Sequence, residues 1–345
     1  MSQSTDTQAA YTKTDFVSNQ QVRWCPGCGD YAILNCMQQL MPKLGRKRED
    51  IVFISGIGCA SRFPYYMNTY GFHTIHGRAA ALASGLKLIN PNLSVWIVAG
   101  DGDAFSIGGN HLIHLIRRNL NLNLIIFNNE VYGLTKGQYS PTSRRGTVAK
   151  STPFGSVDRS FYPASLCVGA EASFYARTAD ADLKHMQDIF LRAEQHHGTS
   201  VVEVLQNCVI FNDKVHGLVT AKETRDFNQL RLEHGKPMRF GPNLEKGIIL
   251  DGIKPRVVTL GENGVSEKDI LVHDEKVQDP TLAYFLSRFH SPEFPTPLGV
   301  FRAVEETCYE DAAIEQMKQI TGKYGPGDLD KLFSQGETWT VPEKT

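Results

Sequence analysis

From about residue 50 to residue 205, short apolar runs alternate with stretches of helical spacing. Ile51–Ser55 reads as a strand buried on both faces, and similar runs predict strands over 95–99, 122–127 and 200–205. Ala79–Ile89, rich in Ala and Leu, predicts a helix. Residues 107–118 predict another, with Ile107, Leu112, Ile113, Leu115 and Ile116 at roughly helical spacing. A third helix is expected over 180–196 with Asp180 as its N-cap, and a fourth over Asp30–Leu40. Strand–helix–strand repetition specifies an α/β fold, a parallel sheet flanked by helices on both faces. Such sheets bind ligands beyond their C-terminal strand ends, where Gly56, Gly100 and Asn128 fall.

Outside this pattern the chain changes character. Residues 134–160 form a long polar connection, a length that inside a compact domain is more often functional than idle. After residue 215 the periodicity weakens and prolines recur from Pro237 to Pro297. The expected organisation is a polar, loosely ordered extension over 1–20 and a ligand-binding domain over 21–215. A smaller C-terminal segment over 216–345 would pack on the core or on a partner.

A chain of 345 residues, 41% hydrophobic, can bury a sizeable core. Its 36 basic and 37 acidic residues balance to a net charge of −1, so it carries no electrostatic footprint for nucleic acid. No apolar run reaches the ~20 residues of a membrane span, and the start lacks the form of a signal peptide. These features predict a cytoplasmic protein with no membrane partner. In that reducing setting its seven cysteines favour metal or redox roles over disulfides.

Gly100-Asp101-Gly102-Asp103 directly follows the strand over 95–99. Glycines let the backbone approach a phosphate closely, and Asp101 offers a hard oxygen to Mg²⁺. A helix beginning near Ser106 would aim its N-terminal amides at the diphosphate. The next strand ends in Asn128-Asn129, which can give an amide oxygen to the same ion, and the Val131 carbonyl can supply a third ligand. This pattern resembles the signature of thiamine-diphosphate enzymes, in which the Asp and the second Asn bind the cation.

Cys25 and Cys28 form a C-x₂-C pair with no second pair nearby. Cys59 follows the first strand and Cys208 follows the fourth, so both fall on the presumed ligand edge. Four converging thiols suit a [4Fe–4S] cluster. The thiols alone leave a structural zinc and a thioredoxin-like dithiol open. Cys36, Cys167 and Cys308 are assigned to the core or to no role.

Six motifs occur in linear order: Trp24-Cys-Pro-Gly-Cys-Gly, Gly56-Ile-Gly-Cys-Ala-Ser-Arg, His76-Gly-Arg-Ala, Gly100-Asp-Gly-Asp, Asn128-Asn-Glu-Val-Tyr-Gly-Leu-Thr-Lys-Gly-Gln and Cys208-Val-Ile-Phe-Asn-Asp. Together they resemble the β subunit of 2-oxoacid:ferredoxin oxidoreductases, most closely the 2-oxoglutarate type. The resemblance spans residues 20–215, weakens to about 275, and does not reach the last 70 residues.

The resemblance implies the thiamine-diphosphate-binding fold, with thiamine diphosphate, Mg²⁺ and one [4Fe–4S] cluster. It implies cluster ligands Cys25, Cys28, Cys59 and Cys208, and Mg²⁺ ligands Asp101, Asn129 and the Val131 carbonyl. Cofactor contacts would be Ile57, Gly58, Cys59, Ala60, His76, Gly102, Asp103, Gly133 and Leu134. Ala60 stands where relatives often have Ser, which a backbone contact survives. His76 and Lys136 are the candidate catalytic side chains, Lys136 by attracting the substrate carboxylate; Arg62 and Arg78 are alternatives for that charge.

The implied activity is CoA-dependent oxidative decarboxylation of a 2-oxoacid, with electrons leaving through the cluster to ferredoxin. The implied partners are an α subunit, ferredoxin, coenzyme A and the 2-oxoacid. The cofactor-activating glutamate of the family lies on the α subunit, which implies that this chain alone is inactive. Phe211-Asn212-Asp213 points to 2-oxoglutarate. Pyruvate or another 2-oxoacid, and a non-enzymatic metal-binding scaffold, are the rival readings.

Overall fold

The structure is a computed structural model, and it describes residues 11–343. Its strands are β1 (Ile51–Ser55), β2 (Tyr70–His73), β3 (Ser94–Gly100), β4 (Leu122–Asn128), β5 (Phe174–Ala179), β6 (Thr199–Leu205), β7 (Gln229–Leu232), β8 (Arg239–Phe240), β9 (Lys246–Asp251), β10 (Lys254–Thr259) and β11 (Thr296–Ala303). Eight of them form one sheet in the order β2-β1-β3-β4-β6-β5-β11-β7, and β10-β9-β8 form a small antiparallel sheet. In the large sheet only the β11–β5 pairing is antiparallel.

The predicted α/β architecture is present because strand alternation feeds two separate cores. Val52, Ile54, Val95, Ile97, Leu124 and Ile126 point to one face, against the helices Ala79–Ile89, Gly109–Arg118 and Pro163–Gly169. Their neighbours Phe53, Trp96, Val98, Ile125 and Phe127 point to the other, against Asp30–Leu40 and Leu183–Gln195. With both faces covered, β1, β4 and β6 are buried at every position.

Several local expectations change. The helix expected over 107–118 is present as Gly109–Arg118, and a separate short helix, Asp101–Phe105, precedes it across a break at Ser106, whose ψ of −118° is not helical. The helix that follows β5 is capped by Asp182, which accepts the His185 amide at 3.1 Å. Asp180 lies two residues outside and accepts the Asn207 amide at 2.8 Å. Residues 1–10 of the expected extension lie outside the described residues. Residues 11–20 are packed rather than loose, with Phe16 fully buried and Val17 bridged to Met67.

The C-terminal segment contributes β11 and β7 to the large sheet, so one layer of strands runs through both parts of the chain. Its last helices, Tyr309–Tyr324 and Leu329–Phe333, are largely exposed. Among the described residues, no helix is long and apolar enough to cross a membrane.

Arg177 of β5 and Glu203 of β6 are paired in register inside the sheet, N–O distance 2.7 Å, at 4% and 1% exposure. Tyr175 donates its hydroxyl to Glu203 at 2.5 Å and Asn128 its amide at 2.7 Å. Removing one partner of such a pair leaves a buried charge alone. Glu203→Ala is therefore expected to lower unfolding free energy by about 3–5 kcal/mol, read from urea denaturation. A loss below about 1 kcal/mol would show that the pair is not the brace described.

Candidate active site

The C-terminal ends of β1, β3, β4 and β6 lie side by side, and the loops leaving β1, β3 and β4 enclose a cleft of about 150 Å³. Ile57, Gly58, Cys59, Ala60, Gly102, Asp103, Gly133 and Leu134 all line it, as do Asp101, Asn129 and Val131. An apolar cavity of about 520 Å³ beside Tyr284 and Phe289 is larger but shares no residue with this cleft. The chemistry of the lining, rather than size, marks the site.

Asp101 is the first residue of the short helix Asp101–Phe105, at 1% exposure. One carboxylate oxygen accepts the Ser140 and Thr142 hydroxyls, both at 2.5 Å. Burial pushes its carboxyl up to about 6 against those hydrogen bonds. No basic side chain pairs with it among the described residues. A buried carboxylate with hydroxyl partners and no countercharge is a donor suited to a small hard cation. Glu130, in the left-handed region at φ 55°, turns the chain beyond β4. That turn lets Asn129 accept the Val131 amide at 3.1 Å while its own amide donates to Gln206 at 2.7 Å. The Asn129 oxygen is thus oriented, and the Val131 carbonyl accepts no hydrogen bond among the described residues. These oxygens fit Mg²⁺.

Two glycines make room for the turn. A Cβ on Gly56 would lie 1.6 Å from an Asp103 oxygen, and one on Gly102 would lie 2.3 Å from the Tyr132 ring. His76 does not line the cleft. Its Nδ1 lies 2.9 Å from Asp103, which also accepts the Gly77 amide at 2.7 Å. His76 therefore fixes the Asp103 loop from behind. Lys136 is exposed beyond Thr135 at φ 84°, and its ammonium makes no hydrogen bond or ion pair among the described residues.

The cysteine loops meet the same cleft. Cys59 lines it, and a Cβ on Gly133 would lie 3.5 Å from the Cys208 sulfur and 3.8 Å from that of Cys59. Cys25 is exposed, while Cys28, Cys59 and Cys208 are half-buried. Burial pushes the Cys28 thiol up, and that of Cys59 to about 11, with the neighbouring cysteines adding to both shifts. Such thiols ionise only beside a positive centre. Thiols of this kind form a donor set suited to a soft metal centre.

Several contributors escaped sequence reasoning. Ser140 and Thr142 sit in a polar connection whose partners no local pattern specifies. Gln206 links the two centres, donating to the Cys28 sulfur at 3.4 Å and accepting from Asn129. Trp24 donates its indole N–H to the Cys59 carbonyl at 2.8 Å; its place beside Cys25 was the available signal.

A family model described as "Thiamine pyrophosphate enzyme, C-terminal TPP binding domain" matches residues 56–204. The chain is 50% identical over 330 residues to 2-oxoglutarate oxidoreductase subunit KorB of Mycobacterium tuberculosis, covering 95% of this chain and 88% of that protein. Similarity on that scale extends past residue 275 into the C-terminal segment. It is 43% identical over 185 residues to 2-oxoglutarate synthase subunit KorB of Archaeoglobus fulgidus, covering 54% of this chain and 69% of that protein. Among solved structures it resembles the 2-oxoglutarate:ferredoxin oxidoreductase from Magnetococcus marinus, bound to 2-oxoglutarate, coenzyme A and succinyl-CoA. That likeness has a TM-score of 0.76 at 28% identity over 96% of this chain and 98% of the other.

The steric argument at Gly56 is testable. Gly56→Ala is expected to displace Asp103 and weaken thiamine diphosphate binding at least about tenfold, roughly 1.4 kcal/mol. Titration followed by intrinsic fluorescence measures it, with circular dichroism as the control for folding. Unchanged affinity would mean that Asp103 does not shape the cleft.

Proposed function

The chain belongs to the β subunits of 2-oxoacid:ferredoxin oxidoreductases, CoA-dependent enzymes of the 2-oxoglutarate type, and from that premise we propose how its residues divide the work. Thiamine diphosphate, when bound with Mg²⁺, supplies the nucleophilic carbon for decarboxylation, and a [4Fe–4S] cluster supplies single-electron transfer toward ferredoxin. Asp101, Asn129 and the Val131 carbonyl hold Mg²⁺. Ser140 and Thr142 keep the Asp101 carboxylate aimed before the cation arrives. Ile57, Gly58, Ala60, Gly102, Gly133 and Leu134 bring backbone and small side chains against the cofactor. His76 orients Asp103 and is a positioning residue. Lys136 at the rim offers a positive charge to the substrate carboxylate.

Cys25, Cys28, Cys59 and Cys208 hold the cluster. Hydrogen bonds from Gln206 to the Cys28 sulfur and from Trp24 to the Cys59 carbonyl brace it. The observation that carries this reading is that Cys59 and Gly133 belong to both centres. A cofactor in the cleft and a cluster on these thiols are then neighbours, which a one-electron relay needs. An α subunit completes the cleft and supplies the rest of the acyl pocket.

The decisive experiment is an anaerobic αβ preparation studied by EPR after dithionite reduction. A reduced [4Fe–4S] signal, with CoA-dependent reduction of ferredoxin by 2-oxoglutarate, is expected. Both should disappear in Cys25→Ser while thiamine diphosphate still binds. An iron-free, zinc-loaded wild-type protein would overturn the cluster assignment and leave the thiamine site standing.

The raised Asp101 carboxyl has a pH signature. Only the carboxylate ligates Mg²⁺, and burial sets its ionisation near 6 in the empty site. Proton and metal compete below that pH and not above it. Mg²⁺-dependent cofactor affinity should be flat above about pH 6 and fall about tenfold per unit below it. Calorimetric titrations across that range measure it, and a flat profile down to pH 5 would refute the role of Asp101.

A further inference from the structure

At the opposite end of the sheet, a cluster of side chains takes no part in the site above. His197 precedes β6, and Cys308 and Asp311 open the helix Tyr309–Tyr324 beyond β11. One ring nitrogen of His197, the Cys308 sulfur and a carboxylate oxygen of Asp311 lie within 4.8 Å of one another. They are the one such group of three ligand-type side chains among the described residues.

The ring of His197 is held on both sides, with Nε2 2.7 Å from Asp311 and Nδ1 3.0 Å from the Asn121 amide. Beside them lies Glu310, at 1% exposure. One of its oxygens accepts the Asn121 backbone amide at 2.8 Å. The other, Oε2, is buried with no hydrogen-bond partner. Burial, then Glu310, then Asp311 push the Cys308 thiol up to about 12. Lys87 is the nearest cation, but its ammonium is spent on the Pro91 and Leu93 carbonyls at 2.7 and 2.8 Å.

We propose that His197, Cys308 and Asp311 bind a divalent ion of the zinc class. Imidazole, thiolate and carboxylate together match Zn²⁺, whereas Mg²⁺ and Ca²⁺ select all-oxygen sets. With the metal on Nε2, Nδ1 carries the ring proton, and Asn121 would orient the imidazole by turning its side-chain oxygen toward it. The ion would offset the Asp311 carboxylate and favour the thiolate form of Cys308. It would also tie the helix Tyr309–Tyr324 to the loop before β6. That helix buries only Glu310, so its attachment depends on its first turn.

The test uses the anaerobic αβ complex with its cluster in place, so that the cluster cysteines do not compete. After chelator treatment and gel filtration, Zn²⁺ is added and counted by mass spectrometry. Wild type is expected to retain one equivalent more than Cys308→Ser, and His197→Gln provides the same comparison should the serine variant fail to fold. Co²⁺ should give a thiolate charge-transfer band that both variants lose. Zn²⁺ should slow proteolysis within 309–343 of the wild type alone. Equal metal content in wild type and variants, or a cobalt spectrum without the thiolate band, would overturn the site.

Discussion

A carboxylate buried without a countercharge is the constraint around which this subunit is arranged. Taking Asp101 to 1% exposure costs several kcal/mol unless its charge is met. Two hydroxyls from the 134–160 connection meet part of it. They also explain why so long a polar segment stays ordered, since Ser140, Thr142 and Ser143 are all at 5% exposure or less. The rest is left for a cation. A site that stores unmet charge in this way binds its ion strongly and ties loop order to occupancy.

The same economy extends through the sheet. Thr142 bonds both Asp101 and Asn128, and Asn128 donates to Glu203, which pairs with Arg177. The metal loop is therefore braced by a buried polar chain running from β3 through β4 and β6 to β5. Because every member is partnered, the chain rigidifies the strand ends instead of destabilising them. Gln206 carries the bracing on to Cys28, so the Cys28 loop and the Asn129 loop share one support.

What the sequence disclosed follows the same physics. β1, β3, β4 and β6 are buried on both faces, which demands continuous apolar runs, and those runs were legible. β5 was not, because Tyr175 and Arg177 serve the polar chain and interrupt its pattern. β11 was hidden by Pro295 beside it, by Pro297 within it and by its reversed direction. At the site, the motif residues were legible because backbone shape and ligand chemistry restrict them. Ser140, Thr142 and Gln206 were not, since a hydroxyl or amide in a loop carries no sign of which distant group it will meet. The short helix ahead of the Ser106 break starts at Asp101, which sets the carboxylate itself in the first turn.

The cleft also argues for its own incompleteness. Cofactor-sized ligands occupy pockets of roughly 300–1,000 Å³, and this one measures about 150 Å³. Its walls hold Cys59, Asp101 and Asp103, yet Leu134, Thr135 and the following Lys136 are exposed. Among the lining residues the ionisable side chains are Cys59, Asp101, Asp103 and Tyr132, and no histidine, lysine or glutamate is among them. Water would reach a reactive carbon held only from this side. A second subunit closing over the rim would exclude that water, add the missing volume and bring the absent acid–base group. The division of labour would be physical: this chain concentrates negative donors suited to metals, and a partner closing over the rim would complete the site.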